Sequence, residues 1–180
     1  MPDSADVVIV GGGVAGVSLA YCLARAGCRD VVLFEKSELT AGSTWHAAGN
    51  VPHYMGNPHW ARLHKRSIDL YRSVGDDGAI GLHLSGSLKL ATTKAQLAEF
   101  EQFVPAARAA EIRFEIVDPQ AVKALFPFVV GDDIQGAAWT PDDGYLDPSL
   151  LTQTLARAAR EAGVRILRHQ PVLHIHPAPG

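Results

Sequence analysis

The chain has 180 residues, 47% of them hydrophobic and 19% charged, an ordinary globular composition with enough apolar side chain for a sizeable core. Lys and Arg number 16 against 19 Asp and Glu, for a net charge of -3, so there is no electrostatic footprint for nucleic acid or an anionic membrane, and a small molecule is the expected partner. The acidic start, Met1-Pro2-Asp3-Ser4-Ala5-Asp6, lacks the basic residues of a signal peptide, and the charge-free stretch from Val7 to Ala24 is broken by glycines, so neither export nor a membrane span is expected and the chain reads as cytoplasmic. In chain order, Val7–Val10 is a β-branched run ahead of glycines and reads as a strand buried on both faces. A helix over about 14–26 follows, stopped by Gly27. Val31–Phe34 makes a second buried strand, ending at Glu35. Strand, crossover helix and strand within about thirty residues form a right-handed βαβ unit. Cys22 and Cys28, in and just beyond that helix, have neither a metal-ligand nor a Cys-x-x-Cys spacing and read as reduced thiols.

After a polar loop over 37–57, Pro58 opens a helix predicted to carry Trp60, Leu63, Ser67, Leu70, Tyr71 and Val74 on one face. Leu82, Leu84, Leu88 and Leu90 then alternate, which predicts a half-buried strand with Gly86 replacing a side chain midway. Thr93 and Gln96 have capping-box spacing for a helix bearing Leu97, Phe100, Val104 and Ala107. A strand near 114–117, a helix over 119–126 and a strand over 134–140 follow. Asp147-Pro148 starts another helix, with Leu151, Leu155, Ala158 and Ala162 inward and Gly163 as its stop. Residues 164–167 resume the buried-strand character of the opening unit. The expected fold is therefore α/β, a Rossmann-like parallel sheet from residues 1–80 and 148–180 with an α+β region inserted at 81–147, and the chain re-entering the first sheet at Val164.

Gly11-Gly12-Gly13-Val14-Ala15-Gly16 fits G-x-G-x-x-G after a strand and at a helix start, the context the fingerprint demands. Gly11 permits the tight turn, Gly13 lets backbone N–H groups reach a pyrophosphate, and Gly16 allows close helix–sheet packing. The helix N-terminus adds unpaired donors and a partial positive charge. Glu35, at the end of the second strand, can accept hydrogen bonds from adenosine ribose hydroxyls and disfavours a 2′-phosphate. These residues leave NAD and FAD undivided.

The loop Ala41-Gly42-Ser43-Thr44-Trp45-His46-Ala47-Ala48-Gly49-Asn50 has small residues that admit close backbone approach, and Ser43 and Thr44 offer hydroxyls. Its Gly-Ser-Thr-Trp-His-Ala-Ala-Gly run resembles the flavin-attachment motif of the dimethylglycine dehydrogenase, dimethylglycine oxidase and sarcosine dehydrogenase family. Gly86-Ser87-Leu88-Lys89-Leu90-Ala91 and Asp143-Gly144-Tyr145-Leu146-Asp147-Pro148 are similar to segments of the same family, so the resemblance runs along nearly the whole chain. It implies FAD, bonded covalently through His46, and contacts from Val14, Ala15, Glu35, Lys36, Ser43, Thr44, Trp45, His46, Asn50 and Val172. Asn50 departs from the apolar residue of some members, and Val172 is expected to meet adenine through its backbone. A neutral imidazole nitrogen is a competent nucleophile for such a bond.

The resemblance further implies oxidation of a small N-methylated amine such as dimethylglycine or sarcosine, with formaldehyde or a tetrahydrofolate adduct as the fate of the carbon. No residue stands out as its acid or base; Tyr145 and His83 are candidate cap residues. Three parallel strands alone expose apolar edges, so the sheet is expected to be incomplete at its C-terminal side and completed by further sequence or a separate polypeptide. A non-catalytic flavin-binding or regulatory fragment and an oxidase of another amino acid are the competing readings. His53, His59 and His64, the pair His174 and His176, and Asp142-Asp143-Gly144 lack metal-site spacing, and no metal is expected.

Overall fold

The computed structural model describes residues 4–176. Met1, Pro2 and Asp3 of the acidic start, and the last four residues, lie outside the described residues. The chain divides into two compact units, one from Met1–Gly49, Tyr71–Gly81 and Asp147–Gly180, the other from Asn50–Leu70 and Leu82–Leu146. Residues 50–70 thus pack with the second unit, where the sequence pattern had grouped them with the first.

In the first unit, β1 (Val7–Val10), β2 (Val31–Phe34) and β8 (Arg165–Leu167) form a parallel sheet in the order β1-β2-β8. Residue pairing runs from Val7 opposite Val31 to Val10 opposite Phe34, and from Val32 opposite Arg165 to Phe34 opposite Leu167. The chain does re-enter the first sheet after Val164, as the return of β-branched residues predicts. Central β2 is buried along Val31, Val32 and Leu33, the continuous apolar character of a parallel strand. Edge strand β1 corrects the sequence reading: Ile9 is buried, but Val8 and Val10 are more than half exposed. Successive side chains of a strand point to opposite faces, and Ile9 faces the helix α1 (Val14–Arg25), where a β-carbon built on Gly16 would lie 3.4 Å from its Cγ2.

Helix α1 packs on β1, β2 and α5 (Pro148–Glu161). Ala20 of α1 and Ala156 and Ala159 of α5 are fully buried; side chains this small let helix backbones approach closely. Leu151 and Leu155 supply the bulk of the buried stripe, each contributing about 1.5–3 kcal/mol relative to exposure. Thr152, Thr154 and Ala159 complete that stripe while Ala162, expected inward, is exposed. Both hydroxyls are satisfied, Thr152 by donating to the Pro148 carbonyl one turn back and Thr154 by donating to that of Ala79, so burial leaves no orphaned hydroxyl. Helix start and stop follow the sequence, with the Asp147 carboxylate accepting from the Ser149 and Leu150 amides and Gly163 at φ +95°.

The second unit carries β3 (Asn50–Val51) paired antiparallel with β7 (Gly144–Tyr145), and an antiparallel sheet in the order β4-β6-β5 from Ser87–Ala91, Gly136–Thr140 and Glu115–Val117. Its helices are α2 (Pro58–Ser73, whose last turn belongs to the first unit), α3 (Lys94–Ala109) and α4 (Pro119–Leu125). An aromatic cluster fills the core: Tyr54 meets Phe100 and Phe103 edge-on and stacks on Phe114, geometries that suit the ring quadrupoles. The Lys89 ammonium sits 4.6 Å from the Tyr54 ring centre, and burial, with the nearby Glu99 charge, pushes the Tyr54 phenol above its ordinary pKa.

Two expectations fail in this unit. The buried residues of α2 are Ala61 and Ile68, while Trp60 and Leu63 of the predicted face are exposed. The alternating leucines do not form one strand: Gly86 turns at φ +72° and a β-carbon there would lie 2.0 Å from the Trp139 ring, so β4 starts only at Ser87. The indole fills the space that a side chain at residue 86 would need, and the chain bends there beside the ring.

Candidate functional site

The glycine loop between β1 and α1 is shaped by contacts that only glycine permits. Gly11 lies at φ +109°, a region closed to most side chains. A β-carbon on Gly13 would come 2.9 Å from Thr44 Oγ1, and one on Gly16 would lie 2.1 Å from the Gly11 carbonyl oxygen. The Gly11 N–H donates to the Phe34 carbonyl, which stitches the turn to the end of β2.

Glu35 follows at that end and is held on every side. Its N–H donates to the Leu167 carbonyl and its own carbonyl accepts from Gln170. Its carboxylate accepts from the Gly12 N–H at 2.6 Å and the Ser37 N–H at 2.8 Å, one on each oxygen. A carboxylate has about four lone-pair positions, so each oxygen keeps capacity for a diol hydroxyl. Three residues on, Glu38 accepts from the Arg168 guanidinium and from His169 Nε2–H. That guanidinium, with His169 adding to it, holds the Glu38 carboxyl below the usual carboxylate range. These contacts bring the segment after β8 beside Glu35.

The loop after β2 is bolted onto the glycine loop. The Thr40 N–H donates to the Gly12 carbonyl at 3.1 Å, and the Val14 N–H donates to the buried Thr44 Oγ1 at 3.0 Å. Gly13 at the cap of α1 has no side chain to do this, so Thr44 caps the helix from thirty residues away. Its hydroxyl hydrogen is thereby directed elsewhere, available to an anion at the helix start. Trp45 N–H to Thr40 O, His46 N–H to Ser43 O and Ala47 N–H to Thr44 O fold the loop into successive tight turns. Trp45 is 70% exposed and His46 is exposed beside it. His46 Nδ1 lies 3.2 Å from the Gly42 carbonyl oxygen. A carbonyl only accepts, so Nδ1 carries a proton, and in the neutral ring Nε2 presents the lone pair.

These parts enclose a cavity of about 660 Å³ lined by Gly11 to Ala15, Glu35, Lys36, Ser37 and the loop from Ala41 to Thr44 with Ala47. A second cavity of about 250 Å³ shares Gly11, Glu35 and Lys36 and adds Gln170, Pro171 and Val172. The structure therefore gathers Gly11, Gly13, Val14, Ala15, Glu35, Lys36, Ser43 and Thr44 around one space and sets Val172 at its neighbour. Gly16 lies beneath the loop rather than in the cavity wall. Trp45 and His46 stand on the exposed loop, and Asn50 belongs to the second unit, on β3, lining neither cavity. Sequence reading missed Ser37 and Gln170, whose roles are backbone hydrogen bonds to Glu35 and leave no side-chain signature.

The other sequence constellations have local partners. His53 is buried against Asp143, His64 Nδ1 donates to the Pro52 carbonyl, and His59 Nδ1 accepts from Arg62. Asp142 pairs with Arg113, its Oδ2 2.7 Å from the Arg113 Nε. Among the described residues there is no group of three or more metal-ligating side chains, and no helix long and apolar enough to cross a membrane.

The cradle fits a dinucleotide: Gly12, Gly13 and Gly16 stand where β-carbons would clash, a helix start and a hydroxyl face the cavity, and an anchored acid flanks it. Comparison with known proteins agrees. Residues 6–180 match the family described as "DAO: FAD dependent oxidoreductase". The chain is 42% identical to the mitochondrial dimethylglycine dehydrogenase of Rattus norvegicus over 179 residues, 98% of this chain and 21% of that protein. It is 32% identical to the mitochondrial sarcosine dehydrogenase of Homo sapiens, over 97% of this chain and 19% of that protein. Among solved structures, the L-proline dehydrogenase of P. horikoshii superposes with a TM-score of 0.85 at 25% identity, covering 94% of this chain and 45% of that one. The chain thus spans about a fifth of the length of the curated relatives it matches.

Proposed function

We propose, from the premise that the chain belongs to the DAO family of FAD-dependent oxidoreductases, that it carries the flavin of an oxidoreductase acting on the CH–NH group of a small N-methylated amino acid. The dimethylglycine and sarcosine dehydrogenases among its relatives support that substrate class. The observation that carries the reading is the loop from Ala41 to Ala47, bolted to the glycine fingerprint and presenting the exposed His46, whose Nδ1 faces the Gly42 carbonyl.

The residues that would hold FAD are Gly11, Gly13, Val14, Ala15 and Gly16 at the pyrophosphate, with the Thr44 hydroxyl as an added donor. Glu35 and Lys36 would meet the adenosine ribose, Val172 the adenine, and Ser43, Trp45 and His46 the flavin end. Bound there, FAD supplies the two-electron sink that takes a hydride equivalent from the carbon beside the amine nitrogen. The part of the protein is to bind and orient. Gly42, by accepting from Nδ1, fixes the His46 tautomer and so selects Nε2 as the nitrogen that would bond the flavin.

Acid precipitation of the flavin-loaded chain tests the attachment. The pellet is expected to keep the flavin absorbance, and His46→Ala is expected to release the flavin into the supernatant while still binding it before acid treatment. A colourless wild-type pellet would refute covalent attachment. The substrate class is tested by anaerobic addition of dimethylglycine or sarcosine, which should bleach the visible flavin absorbance; proline in their place should not.

A further inference from the structure

The chain leaves β8 through a turn held by side chains that the flavin cradle does not use. Residues 168–172 are all exposed, yet Gln170, Pro171 and Val172 line the cavity of about 250 Å³ beside Glu35. His169, directly before that wall, sits at φ +56°, a left-handed conformation that costs energy in a residue with a β-carbon. With this turn the chain stays beside the segment that follows β2. The His169 N–H donates to the Ser37 carbonyl at 3.4 Å and the Gln170 N–H to the Glu35 carbonyl at 2.9 Å.

One carboxylate closes the turn from the solvent side. Glu38 accepts from the Arg168 guanidinium on one oxygen and from His169 Nε2–H on the other, the latter at 2.9 Å. In a regular strand successive side chains point to opposite faces; the left-handed turn at His169 lets two successive residues reach the same acid. The hydrogen bond from Arg168 leads the contacts that hold the Glu38 carboxyl below the usual carboxylate range, so both oxygens are acceptors at neutral pH. Exposed ion pairs add little to global stability. Here the two contacts instead fix the residues immediately before a cavity wall.

We propose that Glu38, Arg168 and His169 form a clamp that positions residues 170–172 and so sets how tightly the adenosine half of FAD is held. All three are positioning residues: neither cavity is lined by them, and they act through Gln170, Pro171 and Val172, which line the smaller one. The inference rests on the proposal that Glu35 and Val172 meet the adenosine end. Its physical basis is pre-organisation. A ligand that binds only the docked segment has its affinity scaled by the fraction of time the segment is docked. Glu35 has its own anchors, the Gly12 and Ser37 N–H groups on its carboxylate, so opening the clamp loosens the wall and leaves the ribose acceptor in place.

The test uses the full chain in the His46→Ala background, where flavin can be removed and added back. Calorimetric titrations compare FAD with ADP, its adenosine half, and FMN, its flavin half. Glu38→Gln is expected to weaken FAD and ADP binding about fivefold and to leave FMN binding and the ligand-free melting temperature near neutral pH unchanged. Arg168→Gln should act like Glu38→Gln, Arg168→Lys should recover most of the affinity, and the double variant should lose no more than either single one, since one clamp is opened only once. In the ligand-free chain, hydrogen exchange at the Gln170 amide should speed up in Glu38→Gln while that at the Gly11 amide does not. Unchanged ADP affinity in Glu38→Gln, equal losses for ADP and FMN, additive losses in the double variant, or a wild-type sequence at residue 38 that binds FAD without binding ADP would each overturn the clamp. The two proposals fail separately. A flavin-loaded chain that dimethylglycine and sarcosine do not bleach, but whose ADP affinity falls on Glu38→Gln, refutes the amine chemistry and leaves the clamp standing; a chain that they bleach, with ADP affinity unmoved by Glu38→Gln, refutes the clamp alone.

Discussion

Individual residues set the chemistry at three points: a glycine without a β-carbon, an acid with both oxygens engaged, and a histidine with its tautomer fixed. Gly16 is the strictest of these. Its missing side chain faces the Gly11 carbonyl at a distance no carbon tolerates, so Gly16→Ala must push the glycine loop off α1. We expect it to cost about 1–3 kcal/mol, the range for overpacking, and to abolish FAD binding, as checked by urea unfolding and by flavin retention on gel filtration. Glu38 offers a pH test. Its carboxyl is held below the usual range chiefly by the hydrogen bond from Arg168. A carboxylate lowered by folding adds stability that is present above its unfolded value and lost as pH falls through its folded value. Acidification through the carboxylate range should therefore lower the melting temperature more in the native chain than in Glu38→Gln. The group is on the surface, where such pairs contribute little, so the difference should be small and should shrink further in high salt.

Helix caps were the most legible elements and amphipathic faces the least. The Thr93–Gln96 capping box is present in both directions, and Asp147 accepts two amides at the start of α5, because capping needs only residues within one turn of each other. Asp147→Ala is expected to destabilise the chain by about 1 kcal/mol, read as a lower urea midpoint with unchanged slope, whereas Asp147→Asn should retain most of the cap. The α2 face was misread because Trp60 and Leu63 are apolar yet lie away from the side that Ala61 and Ile68 bury. Hydrophobicity alone cannot say which stripe meets a neighbour when a small residue such as Ala61 marks the close approach. Similarly, the alternating leucines around Gly86 carry a strand period, and only the Trp139 ring, fifty-three residues away in sequence, breaks it.

At the scale of the whole chain, every group lining the 660 Å³ cavity belongs to the first unit, so ligand stabilisation is expected there. In His46→Ala, FAD at a hundredfold excess over its dissociation constant should raise unfolding free energy by about 2.7 kcal/mol if it binds only the folded chain. Hydrogen exchange should slow at the amides of Gly11 to Ala15 and Ser37 to Ala47 on FAD addition; no slowing there would count against the cradle as the FAD site. The sequence by itself determined the βαβ unit, the glycine fingerprint, the acid after β2 and the return of the chain to the first sheet, since each depends on near neighbours or on a period along the chain; the family it carried as a resemblance of motifs. Tertiary structure alone decided that Val8 and Val10 of an edge strand are exposed, that Thr44 caps α1 and that Gln170 fixes Glu35. The physical reason is that these facts rest on backbone groups and strand register across long separations, where the pairing partner, not the residue type, carries the information.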